Sequence, residues 1–330
     1  MSRPRMWVEL CCGSAAVALR LVGGPSANPP ISYQGSKRGY ARVILAILGL
    51  RQGLGADEVW LNDPGPWVAV WACLTQPGKA EEVAAIIRGW QNREPRKLWN
   101  DLKAQGWGEL TEAGEVAAWA NVSAWCFEAG NTRTGFVHPS DARPEREAIA
   151  SRVEAVARWL VCQHWSFSGK GPENGYGGPG SVVNAPTANW TTEQRDKALG
   201  CERFNGLVMN AAQSLATPVR TFHGSALDVP IPDDCREVFC YIDPPYSGTT
   251  GYQHDLPRAD VLALARHWSD AGAVVCVSEA EPLPLEGWHH VEIGGERVGQ
   301  KRTFSRQQAE WLTLNRPPAW TPGVQVGLFG

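Results

Sequence analysis

Val238-Phe239-Cys240-Tyr241-Ile242-Asp243-Pro244-Pro245-Tyr246 is an apolar run that stops at a carboxylate, two prolines and an aromatic ring. It has the composition of a strand buried on both faces, ended by a proline pair that fixes φ and removes two backbone donors. Similar short runs recur on either side of it. They predict strands at about 6–11, 58–63, 219–223, 238–243, 273–278, 289–293 and 309–315, with helices between several of them, such as the apolar stretch from about Tyr40 to Leu50. Strands alternating with helices predict an α/β fold around a doubly wound parallel sheet, to which the last two strands add an antiparallel edge.

The tetrapeptide Asp243, Pro244, Pro245, Tyr246 is a rigid polar cup with a stacking face. An exocyclic amine of a nucleobase is a poor nucleophile because its lone pair is delocalised into the ring. The Asp243 carboxylate and the Pro244 carbonyl together form an acceptor pair for both amine hydrogens. Such a pair draws the nitrogen toward tetrahedral geometry and frees the lone pair in the transition state. Tyr246 offers a face for a base taken out of its helix. The alternative is a proline-rich turn after a strand.

The first strand leads into Glu9-Leu10-Cys11-Cys12-Gly13-Ser14-Ala15 and then an alanine-rich helix. Small side chains in that turn admit a ligand close to the backbone, and the helix amino terminus is expected to offer free amide donors. Gly13 is the turn's one glycine, so the three spaced glycines of a dinucleotide fingerprint are absent. Asp63 ends the second strand in Leu61-Asn62-Asp63, where an acid suits the two hydroxyls of a ribose; alternatively it only opens the Asp63-Pro64-Gly65-Pro66 turn. Between these strands lies Ser32-Tyr33-Gln34-Gly35-Ser36-Lys37-Arg38, a small-residue turn whose lysine is placed to close over a carboxylate or phosphate.

Together these segments resemble the Dam-type adenine-specific DNA methyltransferases, the Asp-Pro-Pro-Tyr family that uses S-adenosylmethionine. Asp243 through Tyr246 match that family's catalytic tetrapeptide without substitution. Glu9-Leu10-Cys11-Cys12-Gly13-Ser14-Ala15 is similar to its Glu-Pro-Phe-x-Gly-x-Gly cofactor turn, Tyr33-Gln34-Gly35-Ser36-Lys37 to its Gly-Gly-Lys segment, and Asp63 to its ribose acid. The likeness covers roughly residues 6 to 75 and 218 to 316. It departs in three places: the lysine segment follows the first strand instead of preceding it, Cys11-Cys12 replaces Pro-Phe, and Ser225 stands where an acid is usual.

The resemblance implies a Rossmann-like S-adenosylmethionine-dependent methyltransferase sheet formed by residues 1–79 and 216–330. A mostly helical, loop-rich target-recognition insertion would occupy 80–215. Asp243, Pro244, Pro245 and Tyr246 would be catalytic. Glu9, Cys11, Cys12, Gly13, Ser14, Tyr33, Gln34, Gly35, Lys37, Asp63, Ser225 and Asp243 would line the cofactor site. The expected reaction is methyl transfer to N6 of a flipped adenine in duplex DNA. Cytosine N4 methylation, or a cofactor-binding DNA-recognition protein with weak turnover, are the alternatives.

With 330 residues, 43% hydrophobic and 20% charged, the chain is expected to bury a substantial core. Met1-Ser2-Arg3-Pro4-Arg5 runs straight into the first strand and no apolar run is long enough for a membrane span, which predicts a cytoplasmic protein; the resemblance implies a bacterial or phage-infected host cell. Cys73, Cys126, Cys162, Cys240 and Cys276 sit among bulky apolar neighbours, as buried thiols do. No Cys/His spacing suits a metal, which argues against a zinc deaminase, and no cysteine follows a proline as a cytosine-carbon methyltransferase needs.

A net charge of −3 permits DNA binding only through a locally basic face. Arg297, Lys301, Arg302 and Arg306 form one such stretch without an acid. In the middle region helices are expected near Glu81–Trp90, Glu112–Phe127 and Glu145–Trp165, followed by a glycine-rich loop over 166–180. By analogy with the family, Arg143, Arg146, Arg152, Lys170 and Arg195 are further DNA contacts, while most tryptophans there are expected in the core.

Overall fold

The structure of the chain, a computed structural model, describes residues 3–31, 35–90, 93–106, 110, 143–165, 201–246, 255–293 and 310–322. Its strands are β1 Met6–Leu10, β2 Glu58–Asp63, β3 Val219–His223, β4 Val238–Ile242, β5 Val274–Glu279, β6 His289–Glu292 and β7 Trp311–Leu314. They form a seven-stranded sheet in the order β3-β2-β1-β4-β5-β7-β6. The first five are parallel, with Leu10 level with Asn62 on one side and Ile242 on the other. Every residue of β1 and β4 is buried, as strands covered on both faces must be.

The described helices are α1 Ala16–Gly23, α2 Ala41–Ile47, α3 Trp67–Leu74, α4 Lys79–Gly89, α5 Pro95–Gln105, α6 Arg143–His164, α7 Cys201–Ser214 and α8 Arg258–Asp270. On one face of the sheet, Trp7, Val59 and Leu61 share a core with α1, α2 and α3. On the other, Val8, Cys240 and Val275 pack against Val261, Leu264 and Trp268 of α8. Helix α3 is apolar all round and wholly buried, because it lies between the sheet and further helices.

Helices on both faces and a strand order that reverses direction at β1/β4 put a topological switch point between those two strands, where open α/β sheets bind ligands. The expected antiparallel edge is present in a particular form: β7 is antiparallel to β5 and lies between β5 and β6, which leaves β6 at the edge. A nucleotide-binding sheet of order 3-2-1-4-5-6 has no strand there. An antiparallel strand delivers its beginning, not its end, to the edge where the parallel strands finish.

The helices of the interval 80–215 that are described do not form a core of their own. Val83, Trp99, Trp159, Leu160 and Val208 belong to the same cluster as the sheet residues of β1 and β2. Trp159 meets Trp67 edge-on at 5.1 Å and Trp99 meets Trp165 at 6.3 Å, so these tryptophans are packing groups, as their neighbours' apolar spacing predicts. The expected helix at Glu112–Phe127 lies outside the described residues.

Candidate active site

Strands β1 and β4 end side by side. The Asp243 amide donates to the Leu10 carbonyl at 3.1 Å, so the Asp-Pro-Pro-Tyr corner and the Cys-Cys-Gly-Ser turn adjoin at the switch point. This is the juxtaposition on which the sequence reading depended.

The turn after β1 is backbone-strained. Cys11 has φ 55°, Gly13 φ 44° and Ala15 φ 47°, a conformation that only the glycine adopts without cost. It is held by its neighbour β2. The Cys11 amide donates to Asn62 Oδ1 (3.4 Å), that of Cys12 to the Asn62 carbonyl (2.7 Å), and that of Gly13 to Asp63 Oδ2 (2.9 Å). Trp71 of α3 donates its indole N–H to the Gly13 carbonyl at 3.0 Å. Asn62 also donates to the carbonyls of Phe222 and Gly224, tying the ends of β1, β2 and β3 together.

These bonds alter two expectations drawn from sequence. Asp63 does open its own turn, taking the Gly65 amide on Oδ1 at 2.8 Å, while Oδ2 holds the turn after β1 through the Gly13 amide. A carboxylate has about four lone-pair sites, so a ribose ligand role and the turn role are compatible. The amino terminus of α1, by contrast, is not free. Glu9 Oε2 accepts from the Ala18 amide at 2.7 Å and from the Trp7 indole at 3.0 Å, so the chain's own carboxyl sits where an anion would bind. Burial pushes the Glu9 carboxyl up to about 8, partly offset by those two donors and reinforced by Asp243 nearby. The Ala18 amide is thereby taken and is not offered to a pyrophosphate, which argues against a dinucleotide.

Lys37 lies in the short 3-10 turn Lys37–Gly39 ahead of α2 and is only 4% exposed. Its ammonium is 2.8 Å from Asp243 Oδ1 and 3.4 Å from Glu310 Oε1, and it stands over the Tyr246 ring, 4.5 Å from the centroid. Ser36 beside it donates to or accepts from Ser14, with Oγ atoms 2.8 Å apart. The lysine segment thus covers the crevice although it follows β1 in sequence, and the carboxylates it closes over belong to the protein.

Tyr246 donates its hydroxyl to Glu310 Oε1. Burial, together with Asp243 and Glu310, raises the Tyr246 phenol well above its ordinary value, so it remains a donor. Glu310 directly precedes β7 and reaches this edge because β7 is antiparallel. Glu279, at the tip of β5, is also buried; burial moves its carboxyl up to about 7, against the Ala280 amide that lowers it.

Cys11 is half-buried while Cys12, Gly13 and Ser14 are buried. Burial pushes both thiols up, reinforced by Asp63 and then by Asp243 at Cys11 and Glu9 at Cys12, so they pack rather than react. Gly35 stays on the lysine segment, and Ser225 is exposed after β3, where its hydroxyl accepts from the Leu227 amide and caps a three-residue turn. Pro244 and Pro245 continue from β4 as expected.

Tyr33, Gln34, Lys170, Arg195, Arg297, Lys301, Arg302 and Arg306 lie outside the described residues, as do the side chains of Arg143 and Arg146 on α6. Arg152 is 9% exposed and packed within the chain, a correction to its assignment as a DNA contact. Among the described residues no cluster of three or more His, Cys, Asp or Glu is placed to hold a metal, and no helix is long and apolar enough to cross a membrane.

Sequence reasoning did not select Glu310, Asn62, Trp71 or Glu279. An acid directly before a strand carries a signal only once that strand's direction is known. No protein-family model matches the chain, and no curated protein matches it significantly.

Proposed function

We propose that this chain is an S-adenosylmethionine-dependent DNA methyltransferase that transfers a methyl group to N6 of an adenine extruded from duplex DNA. The observation that carries this reading is the Asp243-Pro244-Pro245-Tyr246 corner at the tip of β4, bonded through the Asp243 amide to the end of β1 in the switch-point crevice. There an acceptor pair, an aromatic face and a strained small-residue turn meet.

The methyl donor fits the residues present better than a nucleotide diphosphate does. Glu9 takes the Ala18 amide of α1, so the turn offers a phosphate less than an open helix end would. Cys11, Cys12, Gly13 and Ser14 allow close approach, and Asp63 at the tip of β2 is the acceptor assigned to a ribose hydroxyl. S-adenosylmethionine, when bound, supplies an electrophilic methyl carbon on a sulfonium. Asp243 and the Pro244 carbonyl accept the two hydrogens of the amine, the Tyr246 ring stacks on the base, and the rigid prolines fix the geometry. Two buried carboxylates beside one lysine favour the positive charge that develops on the attacking nitrogen.

Duplex DNA is the proposed partner, and the acid balance of −3 leaves contact to the locally basic stretch at 297–306. Both Ile293 and Glu310, which flank that stretch, lie at the edge that carries the site. A second reading, a cofactor-binding DNA protein without turnover, draws on the Lys37 ammonium at Asp243 Oδ1, an acceptor the amine would otherwise use.

The test is transfer of a radiolabelled methyl group to DNA, followed by digestion to nucleosides. Label in N6-methyladenine supports the proposal, and label in N4-methylcytosine moves it to the other amine. Cofactor binding without label on any duplex leaves the second reading.

A further inference from the structure

We propose that Glu310 is a positioning and charge-balancing residue of this site: by pairing with Lys37 and Tyr246 it keeps the Asp243 cup net negative toward a cationic cofactor. The inference rests on the reading of the cofactor as a sulfonium compound.

Lys37 is a buried cation 2.8 Å from Asp243. By itself that pair is neutral, and a neutral pair gives little attraction to a sulfonium or to the positive charge that appears on the amine as the methyl transfers. Glu310, 2% exposed, adds a second carboxylate 3.4 Å from the same ammonium. The trio then carries one net negative charge, in surroundings where charges are weakly screened.

The second task of Glu310 is steric. Its Oε1 accepts the Tyr246 hydroxyl and faces the Lys37 ammonium, so one oxygen fixes both the ring that would stack on a base and the cation that covers the ring. As the residue before β7, Glu310 reaches this place through the reversed direction of that strand, whereas the residue before a parallel strand would lie at the opposite edge.

The comparison is between S-adenosylmethionine, a sulfonium cation, and S-adenosylhomocysteine, its neutral thioether, measured by titration calorimetry without DNA. In Glu310→Gln, which keeps shape and an acceptor for Tyr246, the preference for the cation over the thioether should fall roughly tenfold, the size of one lost charge at short range under partial screening. In Glu310→Gln with Lys37→Met, one anion and one cation are removed, Asp243 again stands net negative, and the preference should return to within about threefold of wild type. A role in folding alone would make the double variant worse and leave the ratio unmoved.

Should Glu310→Gln not fold, the double variant, whose net charge at the trio equals that of wild type, still decides: a preference far below wild type overturns the proposal. Wild-type protein that binds both compounds with a ratio insensitive to Glu310→Gln overturns the role of Glu310 but not the cofactor. Wild-type protein that binds neither compound overturns both.

Discussion

The Lys37 ammonium lies 2.8 Å from Asp243 Oδ1, although 3-10 turn and strand tip are separated by most of the chain. Both side chains are largely withdrawn from water, at 4% and 16% exposure, so the pair is a buried one whose worth depends on both members being present. Removing the cation alone takes from Asp243 and Glu310 the ammonium that both face.

Lys37→Met should therefore destabilise the fold by about 3–5 kcal/mol, the range for breaking a buried ion pair. Urea unfolding at pH 7 measures it. A loss under about 1 kcal/mol would show that water reaches the pair.

Asp243→Ala should abolish methyl transfer while leaving cofactor affinity within about tenfold, because the acceptor acts on the amine in the transition state. Single-turnover transfer and calorimetry separate the two quantities. Unchanged turnover refutes the assigned role.

Glu9 predicts a pH dependence. Its carboxyl titrates at about 8 in the folded chain, against an ordinary 4.5. The folded state holds a proton that the unfolded state releases within that window. The stability this gives is fully present below about 4.5 and is lost as pH rises toward 8, with a slope of up to roughly 1.4 kcal/mol per unit. Glu9→Gln keeps an acceptor for Trp7 and Ala18 and cannot ionise, so between pH 5 and 8 it should gain roughly 2–4 kcal/mol relative to wild type. A difference that is flat with pH means Glu9 stays ionised.

Asn62→Ala removes the acceptor for the Cys11 amide and the donor for the Phe222 and Gly224 carbonyls. Buried partners left unmatched should cost about 2–4 kcal/mol, read as a lower urea midpoint at constant m value, together with weaker cofactor binding. Stability within 0.5 kcal/mol of wild type, on the order of ordinary surface changes, would remove Asn62 from the turn's support.

Cys11 adopts φ 55° without a glycine's freedom. Cys11→Gly should stabilise by about 0.5–1 kcal/mol, relief of left-handed strain less the added unfolded-chain entropy, whereas Cys11→Val should destabilise by more than about 1 kcal/mol. Equal midpoints for the two variants would show that the turn relaxes in solution.

The amino-acid sequence by itself determined the strands to within a residue or two, and with them the α/β architecture. It also placed Asp243, Asp63 and the Cys11–Ala15 turn at strand tips. Those are local properties: a run of apolar side chains, a proline pair and a change of hydrophobic period are set by neighbours in the chain. Tertiary structure decided which charges meet. Whether Lys37 faced solvent, a ligand or Asp243 depended on how α2 packs, and Glu310 entered the site because β7 inserts antiparallel beside β5. Glu9, expected among the cofactor residues, also takes an amide of α1, and that contact follows from packing, not from spacing. Periodicity carries information over a few residues, while the electrostatics of a buried site depend on groups brought together from distant parts of the chain, and so only the folded structure fixes them.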